Sequence, residues 1–157
     1  MIRKGTRRTF LKSALVTTLG GWSLLTGLLK PGTTLAGWNQ SALESGSVAD
    51  ALKAAFGDIP VALSDKVTLK APEIAADGSS VPITIEANLS QVDTIALFSE
   101  ENPRPLASLF HPGPGVRAKV VMRVKMARTS DVIAVVKSSG RLYMARRKVT
   151  ITTGGCA

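Results

Sequence analysis

The chain has 157 residues, of which 45% are apolar, 20% charged and 4% aromatic. That is the balance of one globular domain with an aliphatic core, and it excludes a collagen, a bulk-disordered chain and a multi-span membrane protein. The formal charge of +9 divides unevenly. Six cations (Arg3, Lys4, Arg7, Arg8, Lys12 and Lys30) fall in residues 1–36, which hold no Asp or Glu. The other 14 Lys and Arg face all 11 acidic residues, an excess of three. The basicity therefore belongs mainly to the N-terminus and is a weak argument for nucleic acid.

Residues 1–36 have the three parts of a secretory signal. A basic stretch runs from Arg3 to Lys12, and an apolar stretch from Ala14 to Leu29 is diluted by Gly20, Gly21 and Gly27. Thr34-Leu35-Ala36 then fits an A-x-A-like cleavage site. Within the basic part, Arg7-Arg8-Thr9-Phe10-Leu11-Lys12 is similar to the twin-arginine export motif. The expected mature chain begins at Gly37 in the bacterial periplasm, with no membrane attachment after cleavage. The expected divisions are a signal peptide over 1–36, a β-sandwich domain with an N-terminal helix over 37–151 and a flexible arm over 152–157.

Ser41 to Phe56 carries Val48, Ala51, Leu52, Ala55 and Phe56 at helical spacing, with Gly57 where a helix stops. One short amphipathic helix is predicted there. After Pro60 the apolar period falls to two. Val67–Leu69, Val81–Ala87, Asp93–Ser99, Leu106–Phe110, Val116–Met126, Asp131–Lys137 and Arg141–Thr152 read as strands. Asp77-Gly78-Ser79-Ser80 and Ser138-Ser139-Gly140 read as turns between them. About seven short strands with turn signals predict an all-β antiparallel sandwich preceded by a short helix.

Chemistry-bearing patterns are sparse. One Cys rules out an internal disulfide framework, and one His beside it cannot make a three- or four-ligand zinc site from these residue types. There is no G-x-S-x-G and no phosphate loop with a Lys. The carboxylates are scattered singly, and His111 reads as a loop residue in a Pro/Gly-rich stretch. No catalytic residue, metal site or cofactor is expected.

The exception is the C-terminus, Thr152-Thr153-Gly154-Gly155-Cys156-Ala157. Gly154 and Gly155 leave the backbone free of side-chain sterics. Four extended steps from Thr152 to Cys156 span about 13–14 Å. The terminal carboxylate beside Cys156 disfavours a thiolate, and no Lys, Arg or His lies within several residues to activate it. The thiol suits a passive carrier better than an enzyme nucleophile. From the residues alone a carrier arm and a frayed tail on a binding or adhesion sandwich both stay open. The absence of a resolving Cys and of basic neighbours argues against a thiol oxidoreductase.

The chain resembles the SoxY family, the sulfur-carrier subunits of periplasmic thiosulfate oxidation. The resemblance covers nearly the whole length. It is carried by the twin-arginine leader, by Val81-Pro82-Ile83 and by Glu101-Asn102-Pro103-Arg104-Pro105-Leu106-Ala107-Ser108-Leu109-Phe110. It extends through the Arg117 to Ala134 strands and Gly140-Arg141-Leu142-Tyr143-Met144-Ala145 to the terminal Gly-Gly-Cys. The resemblance implies an immunoglobulin-like sandwich in a heterodimer with a SoxZ-like subunit. It also implies that Cys156 carries sulfur covalently, as in a persulfide, on a swinging arm. The implied enzymes are a c-type cytochrome that loads the Cys, a sulfate-releasing hydrolase and a sulfur dehydrogenase. One departure stands out: the family usually ends Gly-Gly-Cys-Gly-Gly, and here a single Ala157 follows the Cys.

Changing both Arg7 and Arg8 to Lys is expected to hold the precursor in the cytoplasm, read by fractionation and blotting. Normal export of that variant would contradict the twin-arginine assignment.

Overall fold

The computed structural model describes residues 39–153. The signal motif (Arg7, Arg8, Phe10, Leu11 and Lys12) and the terminal Gly154, Gly155 and Cys156 lie outside the described residues.

The expected single helix is two: α1 spans Gln40–Glu44 and α2 spans Val48–Phe56. The break falls at Ser45-Gly46-Ser47. Ser45 is extended, and the Ser47 hydroxyl accepts the Asp50 amide at 3.1 Å, which starts a fresh helix. A Ser cap satisfies an otherwise orphaned N–H and outweighs helical continuation through Gly46. Gly57 ends α2 at φ +77°, its amide bonded to the Lys53 carbonyl at 2.8 Å. Among the described residues no helix is long and apolar enough to cross a membrane.

Nine strands follow: β1 Val61–Leu63, β2 Val67–Lys70, β3 Ile74–Asp77, β4 Val81–Ala87, β5 Val92–Ser99, β6 Leu106–Phe110, β7 Lys119–Val124, β8 Ser130–Ser138 and β9 Arg141–Thr153. All seven strands expected from the sequence are present: two keep their ends and the other five shift by one to three residues at one end or both. They form a six-stranded sheet, ordered β1-β9-β8-β5-β6 with β3 also on β9, and a three-stranded sheet β2-β4-β7. The pairings among the expected seven are antiparallel. The two additional strands, β1 and β3, pair parallel to β9 along its other edge. The chain thus leaves the large sheet after β1, crosses to β2, and returns as β3. Neither segment is long enough to show a period of two.

Val81, Ile83 and Ile85 from the small sheet meet Ile95, Leu97, Val132, Ala134, Val136 and Val149 from the large one. Val124 and Met126 are buried in this core, with Val120 and Met122 partly buried against it. The β7 apolar face is therefore core. The large sheet is covered on its other side too. Ala42, Ala51 and Phe56 of the helices pack on Ala96, Phe98, Ile133, Val135 and Leu142. This double cover explains why β5 is buried continuously from Thr94 to Ser99 instead of alternating. At the β8–β9 hairpin, Ser139 and Gly140 both have positive φ (49° and 76°), the two-residue turn that matches strand twist.

Phe98 is fully buried beneath the helices. Phe98→Ala is expected to lower stability by about 3–5 kcal/mol. Val121→Ala, at a residue 72% exposed on β7, should change it by less than about 0.5 kcal/mol. Urea denaturation of both variants checks the contrast.

Candidate functional site

The only cysteine follows the last strand, so the described part of the site is the platform that ends at Thr153. β9 supplies it. Its first nine residues pair with β8 from Ser138↔Arg141 to Ser130↔Val149. Its opposite edge is taken by β1 at Leu142–Met144 and by β3 at Thr150–Thr153. Towards its exit the strand passes from β8 on one edge, which stops at Val149, to β3 on the other, which starts at Thr150.

Side chains extend the grip where β8 has ended. The Ile151 amide donates to Thr129 Oγ1 at 2.8 Å. The Thr152 hydroxyl donates to the Ala76 carbonyl at 3.1 Å, and the Thr150 amide to Glu73 O at 2.9 Å. Thr152 and Thr153 thus belong to β9, the last described residues of the chain. Cys156 lies three extended steps beyond Thr153, at most about 10–11 Å.

Two loops brace the segment that carries Thr129. Asn102 Nδ2 donates to the Lys125 carbonyl at 2.8 Å, and Asn102 Oδ1 accepts the Ala127 amide at 2.8 Å. The Met126 amide donates to Gly78 O at 2.8 Å, with the Met126 side chain fully buried below. Asn102 sits in the Asn-Pro-Arg-Pro stretch that carried the family resemblance. Its role is to tie the β5–β6 loop to the β7–β8 loop. The residues alone did not reveal this, because the acceptor and the donor lie 23 and 25 positions away.

The turn after β3 adds a charge-assisted contact. Asp77 accepts the Ser79 amide at 2.8 Å and also the Ser79 hydroxyl. Those bonds hold the Asp77 carboxyl below its ordinary value. A depressed folded pKa means that this small contribution is present above the ordinary carboxylate value and is lost as pH falls through the lowered one. The ion pairs of Arg146 with Glu100 and Asp131, and of Arg128 with Glu101, are surface pairs of small worth.

His111 is not part of this end. Its Nδ1 lies 3.2 Å from Thr94 Oγ1 and 3.3 Å from the Asp93 carbonyl, in the loop after β6. It is a loop residue, as its lone Pro/Gly-rich context suggested.

Thr129→Val removes the acceptor for the Ile151 amide at nearly constant volume. The expected cost is about 1 kcal/mol. It should appear as about fivefold faster hydrogen exchange confined to the end of β9. Unchanged exchange at Ile151 would count against the clamp.

The chain matches the family described as sulfur oxidation protein SoxY over residues 52–156, a stretch that includes Cys156. A solved structure of the sulfur carrier protein SoxY from Chlorobium limicola f. thiosulfatophilum is 34% identical, with a TM-score of 0.63. The match covers 68% of this chain and 97% of that one. A superoxide reductase (neelaredoxin) variant from Ignicoccus hospitalis is 15% identical with a TM-score of 0.50, covering 58% of this chain and 94% of that one. That likeness concerns the sandwich alone. No curated protein matches the chain. With the two-layer sandwich, the helix before it and the family match through the terminal cysteine in agreement, the expected immunoglobulin-like fold is present, and the chain belongs to the SoxY family of sulfur oxidation proteins, which includes a sulfur carrier.

Proposed function

We propose that this protein holds thiosulfate-derived sulfur covalently on Cys156 and presents it to partner enzymes, without being an enzyme itself. The single observation that carries the reading is the family match extending to residue 156. It is supported by a strand whose last residues are paired with β3 on one edge as far as Thr153 and bonded to Thr129 at Ile151 on the other, three residues before the chain's only thiol.

The chemistry suits sulfur, which forms and exchanges S–S bonds readily. In loading, the Cys156 thiol and thiosulfate join through a new S–S bond. The thiol proton is released, and two electrons pass to a c-type cytochrome. In the next step a hydrolase adds water across the outer S–S bond. Sulfate leaves and a persulfide stays on Cys156, with no net electron transfer. A sulfur dehydrogenase then oxidises the retained sulfur. A thiol with no Lys, Arg or His among its preceding neighbours in sequence is consistent with activation inside partner enzymes, where a partner supplies positive charge. A SoxZ-like subunit is the expected permanent companion. The leader suggests export by the twin-arginine route to the periplasm, where the paired subunits cross already folded.

Cys156→Ser is expected to abolish thiosulfate-dependent turnover in a reconstituted mixture, because a hydroxyl forms no S–S bond with the cargo. Thermal stability and partner binding should be unchanged, since the residue lies past the last strand. Sulfur adducts on the C-terminal peptide, read by intact mass without reductant, should vanish in the same variant. Full turnover by Cys156→Ser would overturn the mechanism.

A further inference from the structure

The two sheets of the sandwich end in opposite ways. The outer side of the large sheet is covered by α1 and α2. The outer side of the small sheet is covered by nothing among the described residues. Its register sets three rows across the strands: Lys70, Thr84 and Val121; Thr68, Glu86 and Lys119; Pro82 and Arg123. The outward alternation of β7 continues past its ends to Arg117 and Lys125, both exposed.

This face holds five cations (Lys70, Arg117, Lys119, Arg123 and Lys125) against one acid, Glu86, an excess of four. Lys66 and Asp65 at its rim cancel. Residues 39–153 as a whole hold 14 Lys and Arg against 11 Asp and Glu, an excess of three. The positive excess of the domain is therefore concentrated on this one surface. Glu86 is already engaged by Arg117 at 3.4 Å and Lys119 at 3.9 Å. Lys70, Arg123 and Lys125 have no acidic group within ion-pair distance among the described residues. Like charges on one sheet face oppose folding, and an opposing acidic surface would relieve them.

The face is also continuous with the end from which the chain leaves β9. Arg123 Nη1 donates to the Ser80 carbonyl at 3.2 Å, in the turn directly after Asp77, the residue paired with Thr153. The Lys125 carbonyl is the one held by Asn102. A protein seated here lies next to the arm's root, within the tether's short reach.

We propose that the outer face of the β2-β4-β7 sheet is the surface by which this carrier is steered onto acidic surfaces of the enzymes that process its cargo. The proposal rests on the carrier reading above. The chemistry favours a protein over nucleic acid or lipid. The face has no aromatic side chain to stack on a base or sit among headgroups, and its one exposed large apolar residue is Val121 at the edge. A carrier that visits several enzymes in turn needs fast arrival and fast departure. Charge steering supplies that by raising the association rate more than the affinity.

The experiment uses the mature protein with its SoxZ-like subunit, in the Cys156→Ser form. Binding to the cognate sulfate-releasing hydrolase is followed by biolayer interferometry over a salt series. Association is expected to slow about tenfold between low and physiological salt. The Lys70→Glu, Arg123→Glu double variant should lose about tenfold in association rate at low salt, and its salt dependence should flatten. The milder Lys70→Gln, Arg123→Gln pair should fall between. A control of equal charge change on the far hairpin, Lys137→Glu with Arg141→Glu, should leave binding unchanged. Salt-independent association, or an equal loss in the hairpin control, would overturn the proposal. So would unaltered hydrolase binding alongside lost retention on duplex DNA or on equimolar phosphatidylglycerol–phosphatidylcholine vesicles. Because these proteins lack the thiol, the measurement reads docking alone. Failure of the carrier chemistry would show separately, as turnover that survives Cys156→Ser.

Discussion

The pairing of β9 along both of its edges is the constraint on which the rest depends. A terminal strand bonded on one side only would fray, and the position of anything beyond it would be averaged over many conformations. Here β8 holds one edge as far as Val149. β3 holds the other to Thr153, and Thr129 takes over the Ile151 amide where β8 has stopped. The short parallel strands exist for this purpose, since each can form only against a longer strand already in place.

Burial of the large sheet on both faces follows from the same requirement. A strand that must not move is best placed in a sheet that cannot flex. The helices close one face over Phe98, and the small sheet closes the other over Ile95 and Leu97. Once both faces of that sheet are buried, the outer side of the small sheet is the broad strand surface left open among the described residues, and there Lys70, Lys119 and Arg123 stand in the outward positions of their strands. On the proposed docking, rigidity falls to the large sheet and recognition to the small one.

On the carrier reading proposed above, the part of the domain is to deliver the sulfur rather than to activate it. Asn102, which ties two loops across the sandwich end, braces the segment whose Thr129 holds the end of β9.

Much of this was legible before any coordinates. The alternation in Val81–Ala87 and in β7 requires one buried and one exposed face, because successive strand side chains point to opposite sides. Seven such segments without crossover helices leave a sandwich as the compact solution. The lone cysteine after two glycines stands out by composition, although the residues alone leave a carrier arm and a frayed tail both open. Other features were decided only in three dimensions. The helix break at Ser45-Gly46-Ser47 depends on a cap competing with continuation, a balance of about 1 kcal/mol. The strands β1 and β3 have no period of their own and are stabilised by β9, some 80 residues later in the chain. The extent of the strand past Thr152, the brace at Asn102 and the gathering of five cations on one face all require partners far apart in sequence. Local pattern determines which way a side chain points; only the folded register determines what it meets.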